Sequence, residues 1–276
     1  MTRGAVIAIS HGGGPMPALG DPTHKSMIKS LKERVPKILK LGTADAPRAI
    51  VVVTAHWQQR QPTISSGKSH DMYYDYGGFP PESYELQHNA PGSPEVAAEV
   101  KEALAASNFN ATLNPTRGWD HGVFIPFLLI DPEATVPLVQ LSILSSQDPA
   151  EHIRLGRALA KLRDSNIAIV GSGFASFHHL PNMMALLSGQ PRFDIITKSK
   201  AWNEALTKAV SEEKLDEREK KLVEWRNFPN SYDMHPKGGA DHFMPLLVCA
   251  GAAGDEKAKA YADEFVGVDI LSYYWD

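Results

Sequence analysis

An apolar run that ends in a histidine, Ala49-Ile50-Val51-Val52-Val53-Thr54-Ala55-His56-Trp57, constrains this chain more than any other stretch. Val and Ile in succession, without polar alternation, predict a strand covered on both faces, the usual condition of a parallel sheet packed between helices. The pattern recurs at Ala5-Val6-Ile7-Ala8-Ile9-Ser10-His11 and, more loosely, at Ile167-Ala168-Ile169-Val170-Gly171, which leads on to His178. Sheets of this type bind ligands beyond the carboxyl ends of their strands. Three strand exits that each lead to a histidine therefore mark one edge as the place for chemistry. The expected architecture is α/β, one domain over residues 1–276 with a central, mostly parallel or mixed sheet flanked by helices and a metal site at the carboxyl ends of strands.

Apolar spacing predicts helices over Ser26–Leu41, with Pro36 as a kink or early break, and over Pro94–Ser107, with proline in the first turn. Asp148-Pro149-Ala150-Glu151 has the cap, first-position proline and acidic third residue of a helix running to about Asp164. Phe193–Ser211 and Glu212–Trp225 carry charged outer faces and read as a solvated cover, and Phe243–Ala250 reads as a further helix. An apolar segment, Val123–Ile130, precedes a strand at Val136–Ile143, and Phe265–Leu271 alternates enough to be the last strand. Gln58–Gly92 loses all periodicity but is rich in aromatics, which argues for an ordered functional loop; with Pro181–Arg192 it is expected to form the pocket. No repeat or Ser/Gly linker suggests a domain boundary.

A net charge of -4 leaves no basic footprint for nucleic acid or an anionic membrane. The one cysteine, Cys249, excludes an internal disulfide framework and a Cys-rich zinc site. The apolar run after Met1 is too short for a signal sequence, and none approaches the roughly 18 residues of a membrane span, so a cytoplasmic location is expected. His11-Gly12-Gly13-Gly14 looks like a hydrolase oxyanion loop, but no G-x-S-x-G supplies a nucleophile. Walker, H-E-x-x-H and G-x-G-x-x-G patterns are missing as well.

Eleven histidines are the compositional oddity. A catalytic mononuclear metal site needs about three protein ligands and open positions. His11 and His56 lead, because each ends a strand that fixes its Cα; the alternative, two core histidines satisfied by backbone hydrogen bonds, has to hold twice over. A third ligand is expected from the 235–242 segment, where His242, His235 and Asp241 all qualify on chemistry alone. The doublet His178-His179 suits a general acid/base or two surface histidines. His121, between Asp120 and Gly122, is either oriented by a carboxylate or part of a turn. His24, His70, His88 and His152 are expected to be structural or solvent-exposed.

Taken together, Ser10-His11-Gly12 with Pro15, Ala55-His56-Trp57, Tyr74-Asp75-Tyr76-Gly77-Gly78-Phe79-Pro80, Ala90-Pro91-Gly92-Ser93-Pro94, Trp119-Asp120-His121-Gly122, Val139-Gln140-Leu141-Ser142-Ile143, Gly171-Ser172-Gly173 with His178, and Asp241-His242-Phe243-Met244-Pro245-Leu246 carry a resemblance. In this order, along nearly the whole chain, they resemble the class III extradiol ring-cleaving dioxygenases, in the branch of the 4,5-DOPA dioxygenases. The resemblance implies one non-haem Fe(II) per chain, with zinc possible as the ion found in a crystal, held by His11, His56 and His242. It implies His178 as acid/base, beside which His121 is expected to hydrogen-bond oxygen or substrate. The small-molecule partners would be a catechol and O2, both of whose atoms enter a muconic semialdehyde type product. Where relatives usually read His-Asn-Leu, this chain reads His178-His179-Leu180. Two other readings use the same three histidines, a zinc-dependent hydrolase and a non-catalytic metal-binding protein. The particular catechol and the oligomeric state are not specified.

Overall fold

The computed structural model describes residues 2–189 and 193–276. Strands β1 (Val6–Ser10), β2 (Ala49–Gln59), β3 (Thr63–Ser65), β4 (Thr112–Asn114), β5 (Leu138–Leu144), β6 (Ile167–Gly173), β7 (Lys259–Phe265) and β8 (Val268–Trp275) form a sheet in the order β4-β3-β5-β2-β6-β1-β8-β7. The centre, β5-β2-β6-β1, is parallel throughout. Its strands are buried on both faces, as their continuous apolar runs require. Antiparallel pairing enters toward the edges, where β3 meets β5 and β8 meets β1 and β7, so the sheet is of the mixed type.

The helices are α1 (Lys25–Glu33), α2 (Val35–Ile38), α3 (Pro94–Ala106), α4 (His121–Ile130), α5 (Pro149–Leu159), α6 (Leu180–Leu187), α7 (Phe193–Val210), α8 (Leu215–Val223), α9 (Ser231–Met234) and α10 (Met244–Ala252). Two of them sandwich β6. Gly171 and Gly173 turn one face toward Cys249, Pro245 and His242 at the start of α10, while Ser172, pointing the other way, bonds Gly122 of α4. Both helices are apolar nearly all round and accordingly buried. Among the described residues no helix is long and apolar enough to cross a membrane.

Among the described residues, α3, α5 and α6 start at a capping side chain. Ser93 Oγ accepts from the Val96 N–H and an Asp148 carboxylate oxygen from the Glu151 N–H, each with proline at the first helical position. The helix from Asp148 passes into 3-10 geometry over Ala160–Ser165. The expected Ser26–Leu41 helix breaks at Arg34 into α1 and α2, because Pro36 has no N–H to donate and its ring crowds the preceding turn. Two expectations are corrected. The strand drawn over Phe265–Leu271 is a hairpin whose turn, Val266-Gly267, has positive φ at both residues; apolar alternation simply continues across it. The loop drawn over Pro181–Arg192 is instead helix α6 up to Leu187, capped by His179, while residues 190–192 lie outside the described residues.

One irregularity positions the site. Along β2 the pairing with β5 jumps from Thr54↔Ser142 to Gln58↔Ile143, so Ala55, His56 and Trp57 bulge out of register at the carboxyl end. A bulge bends its strand and re-aims side chains. His56 is one of the residues so re-aimed.

Candidate active site

Three histidines converge at the carboxyl edge. His11 follows β1 and its N–H donates to the Gly173 carbonyl at 3.2 Å, which ties the strand exit to β6. His56 stands in the β2 bulge, and His242 lies in the short 3-10 turn Asp241–Phe243 that opens into α10. Their Nε2 atoms face one another, at 3.1 Å between His11 and His56 and 3.2 Å between His56 and His242. Two nitrogens each about 2.1 Å from a common ion and roughly at right angles would be about 3 Å apart, so the spacing fits a metal.

The electrostatics fit as well. Burial, reinforced by mutual repulsion, holds all three imidazoles well below their ordinary pKa, so they stand neutral with lone pairs available. The opposite nitrogen of His11 is hydrogen-bonded, the arrangement that orients metal-binding imidazoles, while those of His56 and His242 have a carboxylate nearby without a hydrogen bond. Ser172 Oγ donates to the Gly122 carbonyl, so it accepts from His11 Nδ1–H at 3.0 Å, and this leaves the lone pair of His11 on Nε2. His56 Nδ1 is 3.7 Å from an Asp75 oxygen, and His242 Nδ1 is 3.3 Å from Asp241. Neutral nitrogen lone pairs directed at one point repel unless a cation lies between them. The three can hold one.

The alternatives left open in the 235–242 segment separate cleanly. His235 bonds the Ala175 carbonyl at 2.8 Å and packs among Trp202, Trp225 and Phe243, so it is a core histidine, pushed down to about 3 by burial. Asp241 stands with His178 and His242. The doublet separates too. The His178 ring lies parallel to that of His242, with centroids 3.4 Å apart, and burial pushes its pKa down to about 4 against the opposing pull of Asp241. His179 instead caps α6, accepting from the Asn182 N–H. His121 begins α4, its ring 3.8 Å from that of His56 and 5.4 Å from that of His11.

Three further residues support the site, and the carboxylate bonded to the His121 ring is Asp75, not its sequence neighbour Asp120. Asp75 accepts from His121 Nδ1 at 2.7 Å and from the His121 backbone N–H at 3.0 Å. Asp120 is fully buried and accepts from Thr54 Oγ1 and Gln140 Nε2, both at 2.8 Å, so α4 is tied to β2 and β5 just before His121. Burial first, and the charge of Asp75 second, push Asp120 up to about 6. His24 accepts from the Gly13 N–H at 3.0 Å through Nε2 and bonds Asp21 through Nδ1, which pins the glycine turn after His11. The turn is packed closely enough that a Cβ on Gly12 would meet Pro17 at 2.3 Å. His24, His70, His88 and His152 are all buried, the structural half of what was expected of them. The only signal for Asp75 was its place in the Tyr73–Pro81 aromatic stretch, whose Tyr76 ring approaches His121 to 5.8 Å.

The family described as the catalytic LigB subunit of aromatic ring-opening dioxygenase matches residues 5–270. Dioxygenase tasH of Hapsidospora irregularis is 52% identical over 98% of this chain and 85% of its own length. The 4,5-DOPA dioxygenase extradiol of Beta vulgaris is 35% identical over 96% of this chain and 92% of its own. Among solved structures, the uncharacterized protein JW3007 from Escherichia coli K12 superposes with a TM-score of 0.74 at 27% identity, covering 99% of this chain and 100% of that one.

Proposed function

This chain belongs to the family of the catalytic LigB subunit of aromatic ring-opening dioxygenase and is a metal-dependent extradiol ring-cleaving enzyme, and on that premise we propose that it inserts both atoms of O2 into a catechol through one Fe(II) per chain. The ligands are His11, His56 and His242, and the observation that carries the assignment is the convergence of their Nε2 atoms at 3.1 and 3.2 Å. The substrate is DOPA-like or a related catechol, as the names of the Beta vulgaris relative and others suggest, and the product is of the muconic semialdehyde type.

Fe(II), when bound, supplies a centre where catecholate and O2 meet and exchange electron density. Three neutral imidazoles add no negative charge of their own and so favour an anionic, two-oxygen substrate. His178 stands neutral beside His242 and takes the proton of a catechol hydroxyl at an imidazole nitrogen, to return it as the ring opens. His121 hydrogen-bonds the bound reactants. The aromatic stretch forms one wall, held by Tyr74 and Tyr76, whose hydroxyls donate to the Leu86 and Ser83 carbonyls at 2.8 and 2.6 Å.

The test is oxygen uptake by the anaerobically Fe(II)-loaded chain with a panel of catechols, with the yellow ring-opened product followed by absorbance. Uptake matched by product formation is expected. No uptake with any catechol would overturn the reading, and turnover supported by zinc without oxygen consumption would favour a hydrolase instead.

A further inference from the structure

The carboxylate of Asp75 meets His121 twice through one oxygen. Oδ1 accepts the His121 backbone N–H at 3.0 Å and lies 2.7 Å from the ring Nδ1, while Oδ2 reaches no closer to His56 Nδ1 than 3.7 Å. A backbone N–H can only donate, so Oδ1 is an acceptor. An ionised carboxylate has no proton to give, so the second hydrogen in this pair sits on Nδ1. In the neutral ring, which carries a single N–H, Nε2 on the other edge then has a lone pair and no hydrogen. No hydrogen bond engages it among the described residues, nor is it sealed from solvent.

Both partners are held rigidly. The Asp75 N–H donates to the Tyr73 carbonyl at 2.9 Å, and the Tyr73 N–H to the Trp119 carbonyl at 2.7 Å, so the backbone before Asp75 is fastened beside the backbone before His121. Tyr74 and Tyr76 are anchored on either side by their hydroxyls. The start of α4 is fixed in turn by Asp120 through Thr54 and Gln140. The side chain of Asp75 is 12% exposed and that of His121 9%, so water competes little for their bond.

We propose that Asp75 is a positioning residue that holds His121 as the Nδ1–H tautomer, so that the nitrogen presented to the reactants is an acceptor. His121 therefore takes a hydrogen bond from a catechol hydroxyl and does not donate one to dioxygen. The first half rests on the geometry of this pair, and the second on the dioxygenase reading above. The logic is that of a carboxylate fixing a catalytic imidazole's tautomer and orientation, here with the carboxylate supplied by the aromatic loop.

The test begins with the unmodified chain, metal-free and zinc-loaded, labelled with 15N-histidine and assigned with His121→Gln. Long-range ring correlations should show His121 protonated at Nδ1 and bare at Nε2. Asp75→Asn should shift that signature toward a mixture and lower kcat/KM roughly 10–100-fold, the usual cost of losing such an outer partner, with the metal still at one per chain. Asp75→Glu should restore part of both. In a His121→Gln background Asp75→Asn should have little further effect, since the two act as a unit. A wild-type His121 protonated at Nε2 would overturn the proposal without recourse to any variant. So would an Asp75→Asn chain with an unchanged His121 signature, or one that loses its metal while that signature stays, since Asp75 would then serve His56. If the wild-type chain consumes no oxygen with any catechol, the dioxygenase reading and the catalytic half fall together, whereas the tautomer is read independently of turnover.

Discussion

His178 and His242 lie ring on ring, yet their replacements should separate completely. His242→Ala removes one of three converging nitrogens, so bound iron or zinc should fall well below one equivalent per chain. His178→Ala leaves all three in place, so metal should stay at one equivalent while oxygen uptake is lost. Elemental analysis beside an oxygen electrode checks both, and retained turnover by the His178→Ala chain would remove it from the proton transfers. The two residues also differ in how far sequence reveals them. His11 and His56 are legible because each closes an apolar run, and a buried strand fixes the residue at or just beyond the end of that run. His242 could not be told from His235 or Asp241 by spacing, because the difference lies in which way a short turn faces. His235 sits seven residues before His242 and points into a cage of Trp202, Trp225 and Phe243. Asp75 was harder still, since its role exists only once the aromatic loop has folded back against α4.

At the scale of elements, the site depends on how closely α10 approaches β6. A Cβ on Gly173 would meet the His242 carbonyl oxygen at 2.3 Å, and one on Gly171 would meet Cys249 Sγ and the Pro245 carbonyl at 2.6 Å. These glycines let the turn carrying His242 rest on the strand that carries Ser172, the partner of His11. Gly173→Ala should therefore cost roughly 1–3 kcal/mol as an overpacked contact, and metal affinity should drop with it because the displaced atom belongs to His242, a proposed ligand. Gly20→Ala provides the contrast. Gly20 has φ +75 and nothing within 4 Å of its Cβ position, so about 1 kcal/mol of backbone strain is expected with metal binding unchanged. Denaturant melts paired with zinc titrations distinguish the two. Elements with explicit end signals were legible, as at Ser93 and Asp148. The closing hairpin was not, because its turn, Val266-Gly267, keeps the apolar alternation going and only its positive φ values reveal the reversal. The β2 bulge was equally hidden, since register is a property of two strands and sequence shows one.

For the whole molecule, neutral buried histidines set the acid limit of stability. His88 is 2% exposed, its ring nitrogens have no hydrogen-bond partner, and burial pushes it from 6.5 down to about 4. His235, driven to about 3, acts in the same direction. The folded pKa is depressed, so between about pH 6.5 and 4 the unfolded chain binds a proton at each site that the folded chain refuses. The stability they leave intact above pH 6.5 is therefore lost as pH falls through that window, at about 1.4 kcal/mol per pH unit for each fully linked proton. His88 packs against Phe127 and belongs to none of the groups that could hold a metal, so its share can be isolated without replacing a site residue. His88→Leu keeps an apolar side chain there and cannot titrate. Urea unfolding of the metal-free wild type and variant should give a stability difference that moves in the variant's favour as pH is lowered from 7 to 4. The total should be on the order of 3 kcal/mol, with a residual slope in the variant from His235 and the other buried imidazoles. Parallel profiles would mean that His88 takes up its proton in the folded chain as readily as in the unfolded one.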